Sequence, residues 1–148
     1  MEYKINLKKT REQNNLNQSN MANILGIDRT VYNKYENGYE LIPIKHLISF
    51  CNYFNIRVDE IFNFNIHEQL PINKEFDVKI VGKRLKEWRK KNKITQDKLA
   101  KTLNTNKSVI CNYEKGRYLI ATPFLYQICH QYGVSADYLL GRIDNDSQ

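Results

Sequence analysis

The sequence predicts an all-α protein made of two copies of one small domain. Three observations carry this. First, the chain repeats itself without gaps: laying residues 3–64 on 81–142, an offset of 78, gives 16 identities in 62 positions. Second, apolar residues in each copy recur at helical spacing, and neither copy sustains a period-two alternation. Third, capping residues stand where one helix should end and the next begin.

The repeated positions include Leu7/Leu85, Arg11/Arg89, Gln18/Gln96, Ala22/Ala100, Tyr35/Tyr113, Glu36/Glu114, Gly38/Gly116, Cys51/Cys129 and Asp59/Asp137. The expected organisation is a first domain at 1–64, a linker at 65–79, a second domain at 80–142 and a tail at 143–148. The linker contains Leu70-Pro71 and three of the chain's acids.

The elements are clearest in the second copy. Val81, Leu85 and Trp88 fall on one face of an amphipathic first helix. Thr95 can cap a second helix from Gln96 to about Thr102, with Leu99, Ala100 and Leu103 inward. Asn106 can cap a third from Lys107 to about Glu114, burying Ile110 and Tyr113, and Gly116 follows where a left-handed C-terminal cap belongs. Pro123 can open a fourth helix holding Leu125, Ile128, Cys129 and Tyr132. Ser135 can cap a short fifth ending in Leu139 and Leu140.

The decisive segment runs from Thr95 to Glu114, with its counterpart from Asn17 to Glu36. Two helices joined through a sharp turn need a small residue at closest approach, a turn residue that tolerates positive φ, and a polar cap on the following helix. Ala22 and Ala100, Gly26 and Asn104, and Asp28 and Asn106 meet these demands. Both copies therefore read as helix-turn-helix units.

Charge and composition narrow the function. The chain has a net charge of +7, unevenly spread. Residues 1–66 carry 8 Lys+Arg and 7 Asp+Glu, net +1, whereas residues 78–148 carry 14 and 6, net +8. A basic excess of this kind suits an anionic partner. No apolar run approaches the roughly 20 residues of a membrane span, and Met1–Lys9 lack a secretory apolar core, so a cytoplasmic protein without a membrane partner is expected. Cys51, Cys111 and Cys129 form no CxxC pair, and His46, His67 and His130 join no ligand cluster. No metal, cofactor or small-molecule ligand is expected. Nor is an enzyme: there is no nucleophile–base arrangement and no phosphate-cradling glycine loop.

Both copies resemble the Cro/C1 phage-repressor type of helix-turn-helix, the xenobiotic-response-element family. The second is closer, with Gly82-Lys83-Arg84-Leu85, Thr95-Gln96, Leu99-Ala100, Ile110, Tyr113-Glu114 and Gly116. The first keeps Gln18, Ala22, Leu25-Gly26, Tyr35-Glu36 and Gly38, but departs at Thr10, Asn17 and Tyr39-Glu40, the last a place the family usually makes basic. The resemblance implies two lambda-repressor-like five-helix domains, each with its third helix in the major groove of double-stranded DNA. Carried over by position, it implies DNA contacts by Arg29, Thr30, Asn33 and Lys34 in the first copy and by Lys107, Ser108, Cys111 and Asn112 in the second. It places Gln18 and Gln96 near phosphate, where Lys115 and Arg117 also suit. It makes Arg11/Glu36 and Arg89/Glu114 internal salt bridges.

The expected function is sequence-specific duplex binding by a transcriptional regulator, with repression the expected sign. Half-sites one helical turn apart are about 34 Å from centre to centre. A linker of 14–15 residues stretches to roughly 50 Å, so one chain could place both third helices on one face of DNA. The two third helices differ, Arg-Thr-Val-Tyr-Asn-Lys against Lys-Ser-Val-Ile-Cys-Asn, so a bipartite site should be asymmetric. Homodimerisation through one copy is the alternative geometry. The alternative function is that the near-neutral first copy serves dimerisation or protein interaction, as in an antitoxin or co-regulator.

Overall fold

The computed structural model describes residues 5–66 and 68–145. His67 and residues 146–148 of the expected tail lie outside the described residues. The chain divides into two compact units, Met1–Asn65 and Ile66–Gln148. Among the described residues there are ten helices and no strand.

The first unit holds α1 (Leu7–Gln13), α2 (Gln18–Leu25), α3 (Arg29–Asn37), α4 (Ile44–Phe54) and α5 (Val58–Ile61). Local chemistry sets these limits. Asn6 accepts from the Lys9 amide at the start of α1. Asn17 and Asn20 form a reciprocal capping box on α2, each side chain accepting from the other's backbone N–H. Gly26 ends α2 at φ +69°, a left-handed turn that costs glycine least. Asp28 precedes α3 in extended conformation, but its carboxylate makes no capping hydrogen bond. What remains to it is its negative charge at the positive end of the helix dipole. The core gathers Leu7, Met21, Tyr32, Leu47, Phe50, Cys51, Val58 and Phe62, each at 2% exposure or less.

The second unit holds α6 (Val78–Lys91), α7 (Gln96–Thr102), α8 (Lys107–Glu114), α9 (Thr122–Tyr132) and α10 (Ala136–Leu139). Val81, Leu85 and Trp88 are buried on the expected face of α6. The side chains of Thr95, Asn106 and Ser135 accept from the amides of Lys98, Val109 and Tyr138. Asn104 turns the corner between α7 and α8 at φ +57°. Pro123 lies in the first turn of α9.

The helix-turn-helix in each unit is seated on the remaining helices. In the second, α8 packs on both α6 and α7; in the first, α3 packs on α1 and α2. Ala22 and Ala100 are 2% exposed, so both small residues sit in the joint. Gly82 makes the α6–α8 approach possible: a Cβ there would fall 2.4 Å from the Tyr113 carbonyl oxygen and 2.6 Å from that of Glu114.

The segment after α10 folds back on α6. Ile143 is buried. Arg84 donates to the carbonyls of Tyr138 and Ile143, and its guanidinium lies 4.7 Å from the Tyr138 ring centroid. Each unit also closes a buried arginine–aspartate pair around its fifth helix, Arg57–Asp59 at 2.6 Å in the first and Arg142–Asp137 in the second.

Candidate nucleic-acid interface

The first unit brings several of the expected residues together on α3. Arg29, Thr30, Asn33 and Lys34 are all exposed. Their spacing of i, i+1, i+4 and i+5 puts them on one side of the helix. Gln18, in the first turn of α2, joins them. Its amide donates to Asn33 Oδ1 and to Glu36 Oε1, both at 3.1 Å, while Arg29 reaches its Oε1 at 3.5 Å. Lys34 stands 3.9 Å from Glu40, both half-exposed, so part of its charge is answered locally.

The foundation of this face is the Arg11–Glu36 pair. Arg11 donates Nε to Glu36 Oε2 at 2.7 Å, Nη2 to Oε1 at 3.0 Å and Nη1 to the Leu16 carbonyl at 2.8 Å. This bidentate geometry ties α1 to α3. Burial alone would raise the Glu36 carboxyl, but the hydrogen bonds donated by Arg11 and Gln18 outweigh it and hold the group below the usual carboxylate range. Burial pushes the Tyr32 phenol up, and the neighbouring Glu36 adds to the shift.

The second unit repeats the foundation and alters the face. Arg89 donates Nε to Glu114 Oε2 at 2.6 Å, Nη2 to Oε1 at 3.0 Å and Nη1 to the Ile94 carbonyl at 2.9 Å. Gln96 donates to Glu114 at 3.0 Å. Cys111, half-buried, occupies the place of Asn33, so the Gln18–Asn33 hydrogen bond has no counterpart built from Gln96.

Instead, Lys107, Ser108, Cys111, Asn112 and Arg117 line one shallow hollow of about 560 Å³. Ser108 Oγ donates to the capping oxygen of Asn106 at 2.7 Å. Arg117 donates to Asn112 Oδ1 at 3.1 Å, linking the loop after α8 to the helix. Lys115 is exposed at the end of α8 but does not line the hollow.

Two exposed tyrosines are not among the expected contacts, although Tyr39 is a departure from the family pattern. Tyr39 and Tyr118 are 82% and 64% exposed, in the loops that follow α3 and α8. A tyrosine hydroxyl at that place suits a phosphate oxygen as well as a lysine does. The available signal was position: each follows one of the repeated glycines, Gly38 or Gly116, within two residues.

The arrangement can present guanidinium and amide groups to base edges from an exposed helix, with cations and hydroxyls alongside. Arginine can bind guanine O6 and N7, and asparagine can bind adenine N6 and N7.

Comparison with protein-family models agrees with two helix-turn-helix units. A family model described as "Helix-turn-helix domain" matches residues 5–65 and again 82–144. The chain is 42% identical over 62 residues to the HTH-type transcriptional regulator ImmR of Bacillus subtilis (strain 168), covering 42% of this chain and 49% of that protein. It is 38% identical over 65 residues to YqaE of the same strain, an uncharacterized HTH-type transcriptional regulator, covering 44% and 56%. The chain thus spans about half the length of the curated relatives it matches. Among solved structures, the clp gene regulator ClgR from C. glutamicum matches at 24% identity and a TM-score of 0.39, over 43% of this chain and 82% of that one. The hypothetical transcription factor NHTF from Neisseria matches at 20% identity and a TM-score of 0.40, over 51% and 86%.

Proposed function

The chain belongs to the helix-turn-helix domain family, and from that premise we propose that it binds double-stranded DNA sequence-specifically and regulates transcription, as a repressor. Each unit inserts its third helix, α3 or α8, into the major groove. Arg29, Thr30, Asn33 and Lys34 read one half-site, and Lys107, Ser108, Cys111 and Asn112 the other. Gln18, Gln96, Lys115 and Arg117 hold the flanking phosphates.

One observation carries this reading. In each unit an exposed polar helix face is fixed to the bundle by a bidentate arginine–glutamate pair, so the reading face is rigid before DNA arrives. Pre-organisation of that kind reduces the ordering cost of binding.

The test is selection from random duplexes, followed by affinity at several salt concentrations. An asymmetric bipartite motif with steep salt dependence is expected. A perfect palindrome would favour homodimerisation through one unit, and no selected motif with a flat salt response would overturn the reading.

A second reading has an observation of its own. The first unit is near neutral, its Lys34 is answered by Glu40, and it exposes Tyr39 and Tyr53 at 82% and 55%. These features suit a protein-interaction module. Paired alanine variants separate the two. If Arg29→Ala with Asn33→Ala leaves DNA affinity intact while Lys107→Ala with Asn112→Ala abolishes it, the first unit is not a reader.

A further inference from the structure

The connector between the two helix-turn-helix cores does not enter the second unit only at α6. Five residues before that helix, the Asn73 backbone N–H donates to the Arg142 carbonyl at 2.7 Å, and its side-chain amide reaches the Gly141 carbonyl at 3.5 Å. Asn73 Oδ1 then accepts from the Glu75 amide at 3.1 Å, which closes the turn leading to α6. The acceptor is itself anchored, because Arg142 is 1% exposed and its guanidinium pairs with buried Asp137. Ile72, just before the clip, is half-buried.

We infer that Asn73 is a spacing determinant: by clipping the connector to the second unit it shortens the tether between the two DNA-reading units and so limits which half-site separations one chain can span. The inference rests on the proposal that both units read DNA.

The size of the effect follows from chain geometry. With the clip closed, the chain leaves the first unit at Asn65 and is fixed again at Asn73, a contour of at most about 28 Å at ~3.5 Å per residue. With the clip open, the contour measured to Val78, at the start of α6, rises to at most about 45 Å. The clip thus withholds at most about 17 Å of reach, or up to about five base pairs at the 3.4 Å rise of each DNA strand. Tether length sets the effective concentration of the second unit at its half-site, and a tether that cannot span the sites gives none. The roughly 50 Å expected from a 14–15-residue linker exceeds even the open-clip contour, because α6 already begins at Val78.

Two variants test this in the full chain. Asn73→Pro removes the donor N–H, and Asn73→Ala removes only the side-chain contacts. The probe is the bipartite duplex selected by the wild-type protein, remade with spacers from zero to fifteen base pairs. Solution X-ray scattering without DNA reads the tether alone. The expected result is a larger maximum dimension for Asn73→Pro, a tolerated spacer window wider by up to about five base pairs, and at least about tenfold tighter binding than wild type on probes just beyond the wild-type window. Affinity for single half-sites should not change, which a general loss of folding would not permit. Asn73→Ala should fall between the two. An unchanged dimension together with an unchanged window overturns the clip. A larger dimension with no spacer preference in either protein overturns the two-reader premise, and the inference with it.

Discussion

Arg142 and Asp137 close a buried ion pair in the second unit, with side chains 2% and 0% exposed. The repeat places Asp59 at the equivalent position in the first unit, also buried, yet its partner there is Arg57. The two arginines do not correspond. Arg57 aligns with Ser135, and Arg142 aligns with Phe64. Each copy therefore satisfies the same buried carboxylate with an arginine from the opposite side of the fifth helix.

This substitution of one arginine for another is testable by transplant. Arg57→Ser removes the arginine from the buried pair with Asp59 in the first unit, and removal of one partner from a buried pair costs about 3–5 kcal/mol. Adding Phe64→Arg should restore at least half of that loss by reproducing the second unit's geometry. Circular dichroism follows both units, whereas Trp88, the chain's one tryptophan, reports the second alone. No recovery in the double variant would show that the two sites are not interchangeable.

The depressed Glu36 carboxyl makes a pH prediction for the first unit. A carboxyl whose pKa is lower folded than unfolded binds its proton more readily unfolded. Its contribution is complete above the unfolded value of about 4.5 and is lost as pH falls through the depressed folded value. Melting followed from pH 7 to pH 3 should show the first unit weakening on the acid side. Glu36→Gln, which leaves Arg11 without its carboxylate, should lower stability at pH 7 and flatten that slope. An unchanged slope in the variant would remove Glu36 from the account.

Much of the fold was legible because its signals are local. Thr95, Asn106 and Ser135 cap the helices they precede, and Gly26 and Asn104 adopt the left-handed turn that their residue types favour. What escaped depends on where side chains go in space. The repeat aligned Asp59 with Asp137 but carried no information on partners offset to different positions. Asn17 read as a departure from the family pattern, and it builds a capping box with Asn20. Asp28 has the residue type and backbone of a cap without its hydrogen bond. The candidate site divides the same way. The family resemblance singled out Arg29, Asn33 and Gln18, but only geometry shows Gln18 bridging the first two to Glu36.

Salt dependence should separate the cations of the second unit. Removing one phosphate contact reduces the log–log slope by about 0.9. Lys115→Ala should do this with little change in which sequences bind. Arg117→Ala should lower the slope similarly and also relax base preference at one position, because it frees Asn112 from the hydrogen bond that now orients it. Slopes measured on matched and single-mismatch duplexes decide between the two behaviours. If Arg117→Ala changes only the slope, the Arg117–Asn112 contact has no part in base reading.

The sharpest steric prediction concerns Gly82. Its φ is not in the left-handed region, so conformational freedom is not what requires glycine there. Space is. A methyl group would meet the carbonyl oxygens of Tyr113 and Glu114, which are backbone atoms and cannot rotate away. Gly82→Ala must therefore push α6 and α8 apart, and overpacking of this kind typically costs about 1–3 kcal/mol. The displaced element is the proposed reading helix, held from the same side by Arg89 through Glu114. Gly82→Ala should thus lower the melting transition reported by Trp88 and weaken DNA binding well below the melting temperature, more than Arg29→Ala disturbs folding. Wild-type stability in Gly82→Ala would mean that α6 and α8 can separate without cost, and that their close approach does not hold α8 in place.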